Sequence, residues 1–181
     1  MAVIIVRWLF ASVCTWALLS SCSSSKPTDS PATPGSNERQ LAQAGSAISV
    51  ANAALGTVTF KLGTGDKVVQ VEVVKSPHAI QQGLMYRQFM PPEQGMLFLM
   101  GETKEHTFWM HNTLIPLDMM FITKAFVIAG IVDSATPQTD DIRTVGQESL
   151  YVLEVNGGWS KAHGVVAGTH VEFVGIDAAA R

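Results

Sequence analysis

Val68-Val69-Gln70-Val71-Glu72-Val73-Val74 decides the fold class. β-branched residues dominate it, and its two polar side chains, Gln70 and Glu72, recur with a period of two. That is the pattern of a strand with one buried face. Upstream, Thr57-Val58-Thr59-Phe60 has the same β-forming character, and Gly63-Thr64-Gly65-Asp66 supplies turn chemistry between the two runs. Together they predict a β-hairpin.

Working outward, Ser76-Pro77 offers an N-cap followed by proline at the first helical position, so a short helix is expected over 78–86. Pro91-Pro92 stops anything helical beyond it. Further strands are expected at Met96-Leu97-Phe98-Leu99, Thr107-Phe108-Trp109-Met110, Leu117-Asp118-Met119-Met120-Phe121-Ile122 and Phe126-Val127-Ile128-Ala129-Gly130-Ile131-Val132. Tyr151-Val152-Leu153-Glu154-Val155 and His170-Val171-Glu172-Phe173-Val174 complete the set, with a second short helix over 158–163 closed by Gly164. Short strands at this spacing with two brief helices predict a mostly β, compact single-domain β-sandwich or barrel over residues 57–181.

The N-terminus has a different composition. Arg7 is the sole charge before Lys26, and an apolar run follows from Trp8 to Leu19. A short positive head and a short apolar stretch make a secretory signal, too brief for a comfortable membrane span. Leu19-Ser20-Ser21-Cys22 resembles the bacterial lipobox. The resemblance implies a signal peptide over 1–21, cleavage before Cys22, and acyl chains on Cys22 that anchor the chain in a membrane. Ser23 after the cysteine resembles the outer-membrane default, so the expected address is the cell envelope, at the outer membrane facing the periplasm. Residues 22–56, rich in Ser, Pro, Thr, Ala and Gly, read as a flexible tether.

Composition excludes several classes. A formal charge of -3 with no Lys/Arg run gives no nucleic-acid footprint. Cys14 and Cys22 are the two cysteines, so residues 57–181 have no thiol for a disulfide, a nucleophile or a zinc site.

Gly83-Leu84-Met85-Tyr86-Arg87, Gly95-Met96-Leu97-Phe98 and Phe108-Trp109-Met110-His111-Asn112-Thr113-Leu114-Ile115-Pro116-Leu117-Asp118-Met119-Met120-Phe121 resemble the bacterial and archaeal family called domain of unknown function 192. Val152-Leu153-Glu154-Val155-Asn156-Gly157-Gly158 and the stretch from Gly164 to Phe173 resemble its closing segment, although Gly168-Thr169 stands where the family usually has Gly-Asp. The resemblance implies a compact all-β domain, often exported, with no established activity.

Arg87, Asn112, Thr113 and Asp118 are the polar members of the strongest motif, and Trp109 stands beside them. One reading is structural: Asp118 pairs with Arg87, and Asn112 and Thr113 tie down the turn before Pro116. The other places these groups at the mouth of a pocket, where Arg87 meets an anionic or hydroxylated ligand. Trp109 and Trp159 either stack a sugar or fill the core.

No serine-hydrolase, zinc-protease or phosphate-loop motif is present. Glu93, Glu102, Glu105, Asp118 and Glu154 are the carboxylates from which a glycan hydrolase would draw its pair. Seven methionines between Met85 and Met120, with His106, Met110 and His111 close together, raise copper binding as an alternative, against a core role for methionine. The preferred reading is a non-catalytic binding or structural envelope module. It needs no cofactor, is held to the membrane through Cys22, and has an envelope protein, a small molecule or a glycan as partner.

Overall fold

A computed structural model describes residues 54–178. The predicted signal peptide, Cys22 and the tether as far as residue 53 lie outside the described residues. The elements are β1 (Ala54–Lys61), β2 (Lys67–Val74), α1 (Pro77–Gln82), β3 (Gln94–Glu105), β4 (Leu117–Ile122), β5 (Ile128–Ala135), β6 (Glu148–Asn156), α2 (Trp159–His163) and β7 (His170–Val174).

The strands form one seven-stranded sheet in the order β5-β4-β6-β3-β2-β1-β7. β1 and β2 are the predicted antiparallel hairpin, with Val58 opposite Val69. β2 and β3 are parallel, and α1 lies in the crossover between them. The sheet curls until its two edges touch. Val127, just before β5, bridges His170 at the start of β7. The result is a half-barrel rather than two packed sheets.

Curling gives the sheet two faces with different covers. All seven strands contribute to the concave core, through residues such as Phe60, Val71, Leu97, Met120, Ile128, Leu153 and Val171, and Trp159 of α2 completes it. The convex face of β3, β4 and β6 carries Met96, Phe98, Met119, Phe121 and Val152. It is covered by Leu84 beyond α1 and by Phe108, Met110 and Ile115. Both faces are apolar there, and for that reason β4 is an unbroken buried run.

Several boundaries differ from expectation. β1 starts at Ala54, so the last residues of the predicted tether are already strand. α1 has the predicted Ser76 cap, whose Oγ accepts from the Ala79 N–H, but it ends at Gly83 (φ 47°) instead of reaching Tyr86 (φ 64°). Residues 107–110 are not a strand. Phe108 exchanges two hydrogen bonds with Arg143, Met110 N–H donates to the Thr139 carbonyl, and the side chains serve as the lid of the convex core. β5 begins after a turn at Phe126, whose φ is 58°.

Asp118 ties these pieces together. Its parity on β4 matches that of Met120, which points into the concave core. Oδ1 accepts from the N–H groups of Ser134 and Gly158, and Oδ2 from that of Ser160, each at 2.8 Å. The carboxylate therefore caps the start of α2 while holding β5 where the β4–β5 register shifts. The expected Asp118–Arg87 pair does not form. Arg87 instead grips Glu72 of β2, donating from Nη1 and Nη2 to its two carboxylate oxygens.

Asp118→Asn keeps the size but removes the charge and one acceptor oxygen, leaving at least one N–H without a partner. A loss of about 3 kcal/mol or more is expected in urea unfolding. A loss below about 1 kcal/mol would mean that water serves these donors equally well.

Candidate functional site

Alternation along β6 sends Leu153 and Val155 into the concave core, so Glu154 points to the convex side. It lies opposite Met96 on β3 and Met119 on β4. The residue is 4% exposed and its carboxyl has no hydrogen-bond partner among the described residues. Burial in these apolar surroundings pushes its pKa up to about 8.

The carboxyl lines a cavity of about 150 Å³. Leu84, Phe98 and Phe108 form its apolar walls, Thr113 adds a polar group, and Trp109 stands at the rim with Gln81 and Gln82. Trp109 is 44% exposed and stacks on His111, centroids 5.1 Å apart. Four of the five segments bearing the family resemblance thus contribute to this one hollow; the stretch from Gly164 to Phe173 does not line it.

The sequence-predicted residues divide. Trp109 and Thr113 line the cavity. Thr113 Oγ also donates to the His111 carbonyl at 3.3 Å. Asn112 adopts φ 51° and donates from Nδ2 to the Tyr86 hydroxyl at 2.8 Å, while its carbonyl accepts from the Tyr86 N–H. That interaction anchors the lid loop against the turn after α1. Arg87 and Asp118 are occupied as described and do not line the cavity, so the five do not form a single polar mouth.

The three copper candidates occupy three environments. Met110 is inside the convex core, His106 Nε2 pairs with the Glu102 carbonyl at 3.0 Å, and His111 Nδ1 pairs with Asp140 at 2.7 Å. Among the described residues no group of three or more His, Cys, Asp or Glu is placed to hold a metal. Of the five carboxylates weighed for glycoside chemistry, Glu154 alone lines the cavity. Glu93 accepts from Trp159 Nε1, Glu102 pairs with Lys104, and Glu105 accepts from Thr144. Trp159, 5% exposed, packs against Phe60 and His163 as core.

Glu154 was visible as a carboxylate but not as a site. The available signal was a charge within Tyr151-Val152-Leu153-Glu154-Val155, where both parities are otherwise apolar. A strand buried on both faces leaves such a group nowhere wet to go.

The raised pKa makes stability depend on pH. Unfolded, Glu154 titrates near 4.5; folded, it holds its proton to about 8. Its neutral form is therefore favoured by folding, and its contribution falls as pH rises from about 4.5 to about 8. Glu154→Gln should gain on the native chain across that window, by at most about 1.4 kcal/mol per pH unit. Urea unfolding of both proteins at about pH 5, 7 and 9 measures this. A constant difference would place the carboxyl in contact with water.

Comparison with known proteins agrees with the resemblance. A family model described as "Uncharacterized ACR", the domain of unknown function 192, matches residues 58–173. No curated protein matches. A crystal structure from Sinorhizobium meliloti 1021, described in terms of a transcription regulator, is 38% identical with a TM-score of 0.66, covering 69% of this chain and 98% of that one. A second, a protein of unknown function from Novosphingobium aromaticivorans DSM 12444, is 31% identical with a TM-score of 0.66, covering 76% of this chain and 99% of that one. Both crystallised chains consist almost wholly of the matched region, so the fold forms without a long N-terminal extension. With its match running from Val58 to Phe173, the chain belongs to the domain of unknown function 192 family.

Proposed function

We propose that this protein is a lipid-anchored binding module of the cell envelope, tethered through Cys22, which holds a small organic amine in the Glu154 cavity. The observation carrying the binding half is the buried, unpartnered Glu154 carboxyl facing a hollow of about 150 Å³. A cavity of that size accommodates a ligand near benzene in volume. An amine suits the carboxyl because, bound as its ammonium, it pairs with the ionised carboxylate and offsets the desolvation cost that keeps Glu154 neutral, the carboxyl proton passing to solvent. Phe98, Phe108 and Trp109 supply aromatic rings for the cation. A single carboxyl favours binding over glycoside hydrolysis, which needs two.

The anchoring half is supported by Arg7, the apolar run to Leu19, and Leu19-Ser20-Ser21-Cys22. The expected setting is the outer membrane, with the domain in the periplasm. Mass spectrometry of the native product should find a diacylglycerol thioether on Cys22, and Cys22→Ser should move the protein out of the membrane fraction. An unmodified Cys22 thiol would end the anchoring proposal.

The binding half is tested on the chain from Ile48 to Arg181. Benzylamine should bind with a change in tryptophan fluorescence, benzyl alcohol more weakly, and benzoate not at all. Glu154→Gln should weaken benzylamine about tenfold or more. Equal binding of benzoate and benzylamine, or indifference to Glu154→Gln, would remove the amine from this site.

A further inference from the structure

The concave side of the same β3–β6 pair holds a second and larger pocket, of about 820 Å³. That volume lies in the range of ordinary small-molecule sites, which barrel mouths commonly provide. Its construction follows from local irregularities. β3 and β6 lose register between Leu99 and Lys104, so β3 bows outward there, with Gly101 at φ 79°. Across from it the turn after β4 carries Lys124 and sets Phe126 at φ 58°.

The floor is aromatic and aliphatic. Phe126 stacks on Tyr151 with centroids 5.6 Å apart and 11° between planes, and Leu99 and Leu150 complete it. Tyr151 is 4% exposed, and its hydroxyl has no hydrogen-bond partner among the described residues. Burial raises the pKa of that hydroxyl, which therefore stays a donor. Lys75, just beyond β2, and Lys124 stand at the edge. Neither makes an ion pair among the described residues. Among the described residues no carboxylate lines the pocket; Glu102, adjacent to Gly101, is paired with Lys104.

We propose that this pocket binds an anionic amphiphile, its acidic head between Lys75 and Lys124 and its apolar body on Phe126, Tyr151 and Leu99. The shape separates an apolar floor from a cationic edge, which is the division an amphiphile needs. The Tyr151 hydroxyl donates to an oxygen of the ligand. The site lies across the sheet from Glu154 and does not depend on the amine reading.

Calorimetric titration of the chain from Ile48 to Arg181 tests it. Decanoate and decyl phosphate should each bind at one per chain, and decyltrimethylammonium at least about tenfold more weakly. Replacing both lysines, Lys75→Glu with Lys124→Glu, should weaken decanoate about tenfold. Lys161→Glu on α2 should leave it unchanged. Tyr151→Phe should reduce affinity a few-fold with the far-ultraviolet circular dichroism unaltered. Several outcomes would overturn the proposal: equal affinity for the decyl cation, no effect of the double lysine change, inorganic phosphate binding as tightly as decyl phosphate, or adsorption to phosphatidylglycerol vesicles without affinity for decanoate.

Discussion

Three amide N–H groups from two separate stretches of chain converge on the Asp118 carboxylate. Each would otherwise be an orphaned donor near the core, and together they compensate the desolvation of a fully buried charge. Because Asp118 belongs to β4, the helix α2 is registered against a strand one in from the sheet's edge and not merely against its neighbours in sequence. Trp159 then drops onto Phe60, and the concave core closes. Gly158, with φ 84°, makes the approach feasible by turning the chain where a side chain would be strained.

The other organising constraint is that β3, β4 and β6 are apolar on both faces. A sheet of this kind needs a cover on each side, yet one of the two covers has little regular structure. Residues after β3 fold back as an extended lid, held to the segment 138–143 by the Phe108–Arg143 bridge and by the Met110–Thr139 and Gln138–Thr113 backbone hydrogen bonds. An irregular cover packs less completely than a helix or a second sheet, and the hollow beside Glu154 lies at its boundary. On the concave side the incomplete curl leaves the second hollow. Both cavities arise from the same cause, a sheet whose two surfaces are closed by partial means.

Much of the fold was legible. The period-two run in β2, the Ser76-Pro77 start of α1 and the Gly164 end of α2 rest on local chemistry, and each appears as read. Residues 107–110 failed because a β-branched or aromatic run signals an extended chain without saying whether a partner lies alongside. The polar motif was read as a set needing partners, and the one pair expected within it, Asp118 with Arg87, does not form. Arg87 and Asp118 are taken by Glu72 and by backbone donors from far along the chain, and no spacing rule encodes those distances. Trp109 and Trp159, equivalent as letters, separate only when the lid and the helix are in place. Glu154 was legible as an anomaly, a charge inside an apolar strand, but its cavity depends on four distant segments.

The bridge between Val127 and His170 has one more consequence. β5 and β7 are the rims of the sheet, and an open rim is a template on which another chain can add a strand. Here the rim of β7 is five residues long, and its first residue is already engaged by the approach to β5. The rim of β5 is interrupted in turn by two register shifts. Neither offers a long flat ladder to a neighbouring molecule, so the curl that shapes the pockets also guards the protein against edge-to-edge polymerisation at high local density.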